Sequence, residues 1–353
     1  MKIGIYNPYF DSLGGGERYS LTLASHWAKI HDVDIFWEDK DIAKKAQQRL
    51  KIDLSRTKVV PNLFRGKNIL KKAYLSKKYD LIFFLSDGSV PLSLAKKNII
   101  HFQSPFPFVG GQSIANKTKF RRYQAVVCNS QFTKKHIDQE FGVRSEVIYP
   151  PVGINEFRPL KKEKIILTVG RFTAYSTNKK QKEMVQFFKT LAKNLPLWEF
   201  RLVGGLLEQD KTYFQEVVKL TEGLSAYVFP NDPFAQLQDH YGRAMIYWHA
   251  AGFGEDEKKN PAAMEHFGIT TVEAMAAGCI PIVYDGGGQP EIVRDGKNGF
   301  LWRTPTELIE KTMRVIKDEK LQDSIHGNAI VSAKDFDEQK FCEAFDALLV
   351  SIT

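Results

Sequence analysis

Two glutamates with seven residues between them carry the most suggestive chemistry of this chain. Glu265 and Glu273 lie in E-H-F-G-I-T-T-V-E-A-M-A-A-G-C-I-P-I-V-Y-D-G-G-G-Q-P-E, residues 265–291. Carboxylates accept hydrogen bonds from hydroxyl groups, and glycine-rich backbone presents N–H groups to phosphate. The stretch therefore holds the pieces needed to bind a nucleotide-linked sugar. Each glutamate also has a plainer use. Thr270 and Glu273 have the spacing of a capping box, and Glu265 can be a solvated loop charge.

Local physics places these groups. The Thr270–Glu273 spacing predicts a helix start at Thr270, with Thr271 to Ala277 helical and Gly278 just past its end. Cys279 to Tyr284 is apolar and β-rich and reads as a buried strand. Gly286, Gly287 and Gly288 make a turn, and Pro290 suits the first turn of a following helix. Glu265 then sits on a loop ahead of a helix whose first N–H groups can receive an anion.

Other segments offer charge or backbone to the same chemistry. Gly14, Gly15 and Gly16 follow the first predicted strand and open a helix, which makes either an anion cradle or an ordinary tight turn. They do not form G-x-G-x-x-G, which weighs against a dinucleotide fold and a nicotinamide-dependent dehydrogenase. Arg171, in V-G-R-F after the strand Ile165–Val169, lies where doubly wound sheets bind ligands, although a surface ion pair would also explain it. His101 begins H-F-Q-S-P-F-P-F at a strand end, followed by Pro105, Pro107, Gly110 and Gly111. His249 reads as a structural residue. Residues 249–264, rich in Glu, Asp and Lys, read as an insertion that is either a flap or a solvated loop.

The elements that must hold these residues alternate along the chain. Strand-like stretches at Lys2–Tyr6, Val33–Trp37, Leu81–Leu85, Asn98–Phe102, Ala125–Cys128 and Val147–Tyr149 are separated by helical ones, notably Glu17–Ile30. The stretch N-S-Q-F-T from Asn129 reads as capping a helix that runs toward Gly142. After a linker at Pro150–Pro159 the series restarts at Ile165–Val169, Glu199–Val203, Ala226–Phe229, Ala244–Trp248 and Cys279–Tyr284. Lys182–Leu195 and Tyr213–Leu220 are helical. Such alternation implies parallel sheets with helices on both faces, and two series imply two Rossmann-like domains, 1–157 and 158–335. A final amphipathic helix spans 336–353.

The 353 residues carry a formal net charge of +9. Residues 1–150 hold 25 Lys and Arg against 13 Asp and Glu, so the basicity belongs to the first half. It concentrates in Arg65–Lys78 and Lys117–Tyr123. The first is a candidate helix with Ile69, Leu70, Ala73 and Tyr74 along one side. It can lie on anionic lipid or be a solvated face. No nucleic-acid motif accompanies the charge, so nucleic acid is set aside. No membrane-spanning run or signal peptide is read from the sequence, and the scattered Cys128, Cys279 and Cys342 suit a reducing cytoplasm.

The Glu-x7-Glu segment resembles the donor-site signature of the GT4-type, group 1 retaining glycosyltransferases. The wording E-H-F-G-I-x-x-V-E-x-M-A-A-G, with Y-P-P-V at 149–152, is similar to a branch that includes mannosyltransferases acting on lipid-linked oligosaccharides. The resemblance implies the GT-B fold: two doubly wound Rossmann-like domains facing a central cleft, an acceptor-side first domain and a donor-binding second, with the last helix crossing back to the first. It implies that Glu273 accepts hydrogen bonds from the donor ribose and that Glu265 touches sugar hydroxyls. Phe267, Gly268, Ile269 and Thr270 would offer backbone to sugar and phosphate. Gly15 and Gly16, as part of G-G-x-E-R, would approach the diphosphate or the sugar. Arg171 paired with Lys179, or with the adjacent Lys180, would neutralise the diphosphate, and His101 would contact the sugar. The catalytic set is then Glu265, His101, Arg171 and Lys179, without metal or bound cofactor. His266 stands where the motif usually has glycine. The implied activity is retaining transfer of a hexose, mannose among the candidates, from a GDP- or UDP-sugar to a glycan or lipid-linked acceptor. The implied location is cytoplasmic, with peripheral contact at the inner membrane face. The alternatives are a phosphorylase or sugar-phosphate synthase of the same fold and a non-catalytic sugar-nucleotide-binding scaffold.

Overall fold

The structure is a computed structural model and describes residues 1–11, 14–66, 68–175 and 178–352. The chain runs β1 (Lys2–Tyr6), α1 (Gly15–Trp27), β2 (Asp32–Phe36), α2 (Ile42–Leu50), β3 (Lys58–Val60), α3 (Ile69–Ser76), β4 (Leu81–Leu85), β5 (Lys97–Phe102), α4 (Ile114–Phe120), β6 (Ala125–Cys128), α5 (Gln131–Phe141) and β7 (Glu146–Val147). It continues β8 (Glu163–Val169), α6 (Gln181–Ala192), β9 (Glu199–Gly204), α7 (Lys211–Thr221), β10 (Ala226–Pro230), α8 (Phe234–Arg243) and β11 (Ala244–His249). Then follow α9 (Ile269–Ala276), β12 (Ile280–Tyr284), α10 (Gln289–Ile292), β13 (Phe300–Trp302), α11 (Pro305–Lys317), α12 (Glu319–Ala333) and α13 (Glu338–Ser351).

These elements form two compact units, Met1–Pro151 with Glu338–Thr353, and Val152–Asp337. The division falls at Pro151/Val152, inside the proline-rich stretch of the sequence, and α13 belongs to the first unit. Unit 1 has a sheet of order β3-β2-β1-β4-β5-β6-β7, and unit 2 one of order β10-β9-β8-β11-β12-β13. All strand pairs are parallel. A parallel sheet covered on both faces needs strands apolar throughout. The five residues L-I-F-F-L of β4 and four of I-P-I-V-Y in β12 are buried accordingly. The doubly wound α/β expectation holds in both units. β3 and β13, at three residues each, carry too little pattern to be read from the sequence. Within the expected capping stretch the N-cap of α5 is Ser130, whose hydroxyl accepts from Thr133 N at 3.0 Å.

In both sheets the strand order reverses once, between β1 and β4 and between β8 and β11. A crevice opens outside the carboxyl ends of the strands at such a point, and that is where ligands bind in this architecture. In unit 1 the helix after β1 is held by a large aromatic cluster. Tyr19 and Trp27 of α1 meet Phe345 of α13 at ring-centroid distances of 5.8 and 5.9 Å, both edge-on. Phe341 joins them 4.7 Å from Tyr19, whose hydroxyl donates to Ile148 O. Phe345 is fully buried. Phe345→Ala is expected to lower the unfolding free energy of unit 1 by about 3–5 kcal/mol, measurable by urea denaturation.

Candidate functional site

The switch point of unit 2 gathers the charged residues of the sequence motifs. Arg171 follows β8, His249 ends β11, and Glu265 lies on the loop that leads into α9. Three close backbone approaches shape the crevice. Gly170 has no Cβ because one placed there would come within 2.6 Å of Lys179 Cγ, so the lysine stem crosses the backbone just after β8. A Cβ on Gly287 would overlap the carbonyl oxygen of Glu265, and one on Gly288 would come within 2.7 Å of His266 O and Phe267 Cα. Gly288 N donates to Glu265 O at 2.7 Å. The triple-glycine turn thus lies directly against the loop that carries Glu265.

Among the described residues the Glu265 carboxylate carries its two hydrogen bonds on one oxygen. Lys179 Nζ lies 2.5 Å from Oε2, and His249 Nε2 lies 2.8 Å from the same atom. The Glu265 side chain is only 13% exposed. Burial raises the pKa of such a group, but the Lys179 charge and the two hydrogen bonds outweigh it and hold the carboxyl well below its ordinary value. His249 also has its pKa lowered, but by burial, which contact with Glu265 opposes only in part. It is neutral at neutral pH, and the tautomer that satisfies Glu265 carries its proton on Nε2. Nδ1 is buried and meets no partner among the described residues.

The neighbouring lysine has a different partner. Lys180 Nζ contacts Glu255 Oε1 at 2.7 Å, so of the adjacent pair it is Lys179 that reaches Glu265. Arg171 is exposed and has no ion pair among the described residues. Its loop is held from below: Gln181 Nε2 donates to the carbonyls of Gly170 and Arg171, at 3.3 and 3.0 Å. Ser176 and Thr177, in the loop between Arg171 and Lys179, lie outside the described residues.

The capping box expected at Thr270 and Glu273 is not formed. The helix starts one residue earlier, at Ile269, with Gly268 as the N-cap at φ +122°. Both side chains are taken by buried tyrosines. Tyr247 donates to Thr270 Oγ1 at 2.8 Å, and Tyr241 donates to Glu273 Oε2 at 2.9 Å. Burial and then the Glu273 charge raise the Tyr241 pKa well above its usual value, so it stays a donor. The amides of Gly268, Ile269 and Thr270 make no hydrogen bond among the described residues and remain available to an anion. The C-terminal end follows expectation: Gly278 is left-handed at φ +74°, and Cys279 N bonds back to Ala274 O.

The 249–264 insertion is neither an open flap nor a wholly solvated loop. Phe253 packs edge-on against Phe187 and lies 5.3 Å from Trp302, while Ala250, Ala251 and Met264 are buried. Its exposed residues are Gly254, Asp256 and Lys258–Asn260. His266 turns back onto this segment, its Nε2 3.2 Å from Ala262 O.

Unit 1 holds the other expected residues. Gly15 and Gly16 begin α1, and their amides have no partner among the described residues. Ser12 and Leu13, earlier in the same loop, lie outside those residues. Gly14 N donates to Glu17 Oε2 at 2.5 Å. The Gln103 side chain occupies the space above Gly16 that a Cβ would need. His101 differs from its expected role. It is fully buried on β5, stacked on Tyr19 with centroids 3.9 Å apart. Burial lowers its pKa to about 3, and a contact with the Val127 backbone offsets this only in part. The ring is a neutral core group without an exposed edge for a sugar.

The fold and this site define a GT-B glycosyltransferase architecture. The chain belongs to the group 1 glycosyl transferases: that family matches residues 154–331, and Glycosyltransferase Family 4 matches residues 13–156. Among solved structures it is similar to Anabaena Alr3699/HepE in complex with UDP, at 19% identity and TM-score 0.77, covering 99% of this chain and 100% of that one. It is similar to a glycosyltransferase from Rickettsia africae at 18% identity and TM-score 0.76, covering 99% and 98%. In sequence it is 27% identical over 241 residues to the human GDP-Man:Man(3)GlcNAc(2)-PP-Dol alpha-1,2-mannosyltransferase, covering 61% of this chain and 46% of that protein. The Dictyostelium discoideum protein of the same name is 26% identical over 62% of this chain and 46% of its own length. The chain thus spans about half the length of the curated relatives it matches.

Sequence reading reached Glu265 and Lys179, which the structure joins directly, Arg171 just after β8, and Glu273 on α9. It did not reach Tyr241 or the contact made by His249. The available signal for His249 was its place at the end of a strand beside the insertion that leads to Glu265. Gly287→Ala is expected to destabilise unit 2 by at least about 1–2 kcal/mol from the left-handed backbone alone, with a further cost from the overlap with Glu265 O. Thermal unfolding of the variant would measure it.

Proposed function

We propose that this chain is a retaining glycosyltransferase that moves a hexose from a nucleoside-diphosphate sugar to a glycan on a lipid-diphosphate carrier. GDP-mannose is the first donor to test. What supports the reading is the set at the carboxyl ends of β8 and β11 and the start of α9: an exposed cation (Arg171), a second cation (Lys179), helix-end amides at 268–270 without a partner among the described residues, and two anchored carboxylates (Glu265 and Glu273). That is the donor set for a diphosphate beside the acceptor set for sugar and ribose hydroxyls. The choice of mannose and of a lipid-linked acceptor is supported by the names of the curated relatives, which specify GDP-Man and a PP-Dol glycan.

In this reading Arg171, Lys179 and the α9 amides hold the diphosphate and stabilise the charge it gains as the bond from the anomeric carbon to phosphate oxygen breaks. Their positive charge neutralises the diphosphate without a divalent ion. The acceptor oxygen bonds to the anomeric carbon on the same face, and its proton passes to the departing phosphate oxygen. The products are the glycoside and the nucleoside diphosphate. Glu265 orients the sugar and Glu273 the ribose. Gly15 and Gly16 remain assigned to donor phosphate or sugar oxygens. His101, buried as it is, supports the core beneath Tyr19.

Calorimetric titration with GDP, UDP, ADP and dTDP in the presence of EDTA tests the donor site. One diphosphate is expected to bind selectively, and Glu273→Ala to weaken it roughly 10- to 100-fold, the loss of a hydrogen bond to a charged group. A folded protein that bound none of them would overturn the reading.

The lipid-linked acceptor gains support from unit 1. On α3, Ile69, Leu70 and Tyr74 are 58, 79 and 68% exposed among Lys71, Lys72, Lys77 and Lys78. Phe108 and Ile114 are both 85% exposed, near Lys117, Lys119, Arg121 and Arg122. No helix among the described residues is long and apolar enough to cross a membrane. Apolar side chains amid lysines suit the surface of an anionic bilayer, each basic residue adding on the order of 1 kcal/mol. Co-sedimentation with phosphatidylserine vesicles is expected at low salt, to fade as salt rises, and to weaken in Leu70→Asp. Absence of salt-sensitive binding would remove the membrane contact from the proposal.

A further inference from the structure

Lys179 and His249 hold the same oxygen of Glu265 but differ in freedom. Lys179 reaches it from the loop after β8, on a four-carbon stem that crosses Gly170. His249 is the last residue of a strand with neighbours on both sides, β8 and β12, and its side chain is 1% exposed. Its ring lies 6.5 Å from that of Tyr247, itself tied to Thr270 at the start of α9. One donor can leave the carboxylate; the other is fixed to the sheet.

This matters if the donor reading above holds, on which the inference rests. A diphosphate needs Lys179 and the sugar needs Glu265, yet in this structure the two groups satisfy each other. Glu265 then occupies the lysine as a second anion would. We propose that donor binding exchanges this pair, the diphosphate taking Lys179 from Glu265, and that His249 is the positioning residue that holds the Glu265 carboxylate in place for the sugar once the lysine has gone.

Two consequences separate this from a purely structural role. Glu265 competes with the diphosphate for Lys179, so removing its charge helps a ligand without sugar and harms one with sugar. His249 acts only through Glu265, so its loss has no effect on the sugar's contribution when the carboxylate is already absent. An amide donor in place of Nε2–H preserves the function, because only one N–H directed at Oε2 is used.

The test is calorimetry of the full chain and its variants with GDP and GDP-mannose, and with UDP and UDP-glucose as the second pair. Glu265→Gln is expected to bind the diphosphate about 3- to 10-fold more tightly, while the affinity for the nucleotide sugar relative to that for the diphosphate falls roughly 10-fold or more. His249→Phe is expected to leave the diphosphate within about twofold of wild type and to lower the same ratio about 10-fold. Retained diphosphate binding also reports a folded site. His249→Gln is expected to restore the ratio, and the double variant His249→Phe with Glu265→Gln to match Glu265→Gln alone. Unchanged or weaker diphosphate binding in Glu265→Gln would overturn the exchange. Loss of diphosphate and sugar binding alike in His249→Phe, or a further loss in the double variant, would overturn the role of His249. If the wild type bound neither diphosphate, the donor-site reading itself would fall and this inference with it.

Discussion

A carboxylate held ionised at the edge of a hydrophobic sheet is the constraint around which unit 2 is arranged. Taking such a charge out of water costs several kcal/mol, and the cost is offset only where partners meet it with good geometry. For Glu265 the partners come from distant parts of the chain: Lys179 after β8 and His249 at the end of β11. Their meeting requires backbone segments to approach more closely than side-chain carbons allow. Gly170 admits the lysine stem, and Gly287 and Gly288 admit the carbonyls of residues 265 and 266. The glycines of the motif therefore serve the position of a charge as much as the binding of phosphate.

The second glutamate is also anchored from below, by a buried phenol. Tyr241 and Tyr247 come up from beneath α9 and fix Glu273 and Thr270 by hydroxyl donation. Their burial keeps both phenols protonated, so the donors persist across the physiological range. The two glutamates of the motif thus meet different partners although they look alike in sequence. In unit 1 the corresponding switch point offers helix-end amides at Gly15 and Gly16, and His101 has become part of the aromatic support under α1.

Much of the architecture was legible because parallel strands buried on both faces announce themselves. L-I-F-F-L and A-V-V-C need no partner information to read as strands. The same logic failed for β3 and β13, whose three-residue lengths give no period. The capping box at Thr270 failed for another reason. Its spacing is a local statement about backbone satisfaction, and Gly268, with a backbone few other residues adopt, moved the helix start upstream. The freed side chains were then claimed by tyrosines from the preceding helix and strand. His101 shows a similar limit: a histidine between prolines and glycines at a strand end looks functional, but whether its ring faces a crevice or a core depends on what stacks over it, here Tyr19.

By itself the sequence determined the class of fold, the order of strands and helices, the glycine turns and the residue types at the donor crevice. These are set by side-chain periodicity and by backbone conformations that act over a few residues. Only the tertiary structure decided which of two adjacent lysines meets Glu265, that His249 shares the same oxygen, that the insertion is anchored through Phe253, and that His101 is sealed in a core. The Lys179–Glu265 contact joins residues 86 positions apart. It exists because β8 and β11 are neighbours in the sheet though not in the chain, and no local pattern along the sequence encodes that adjacency.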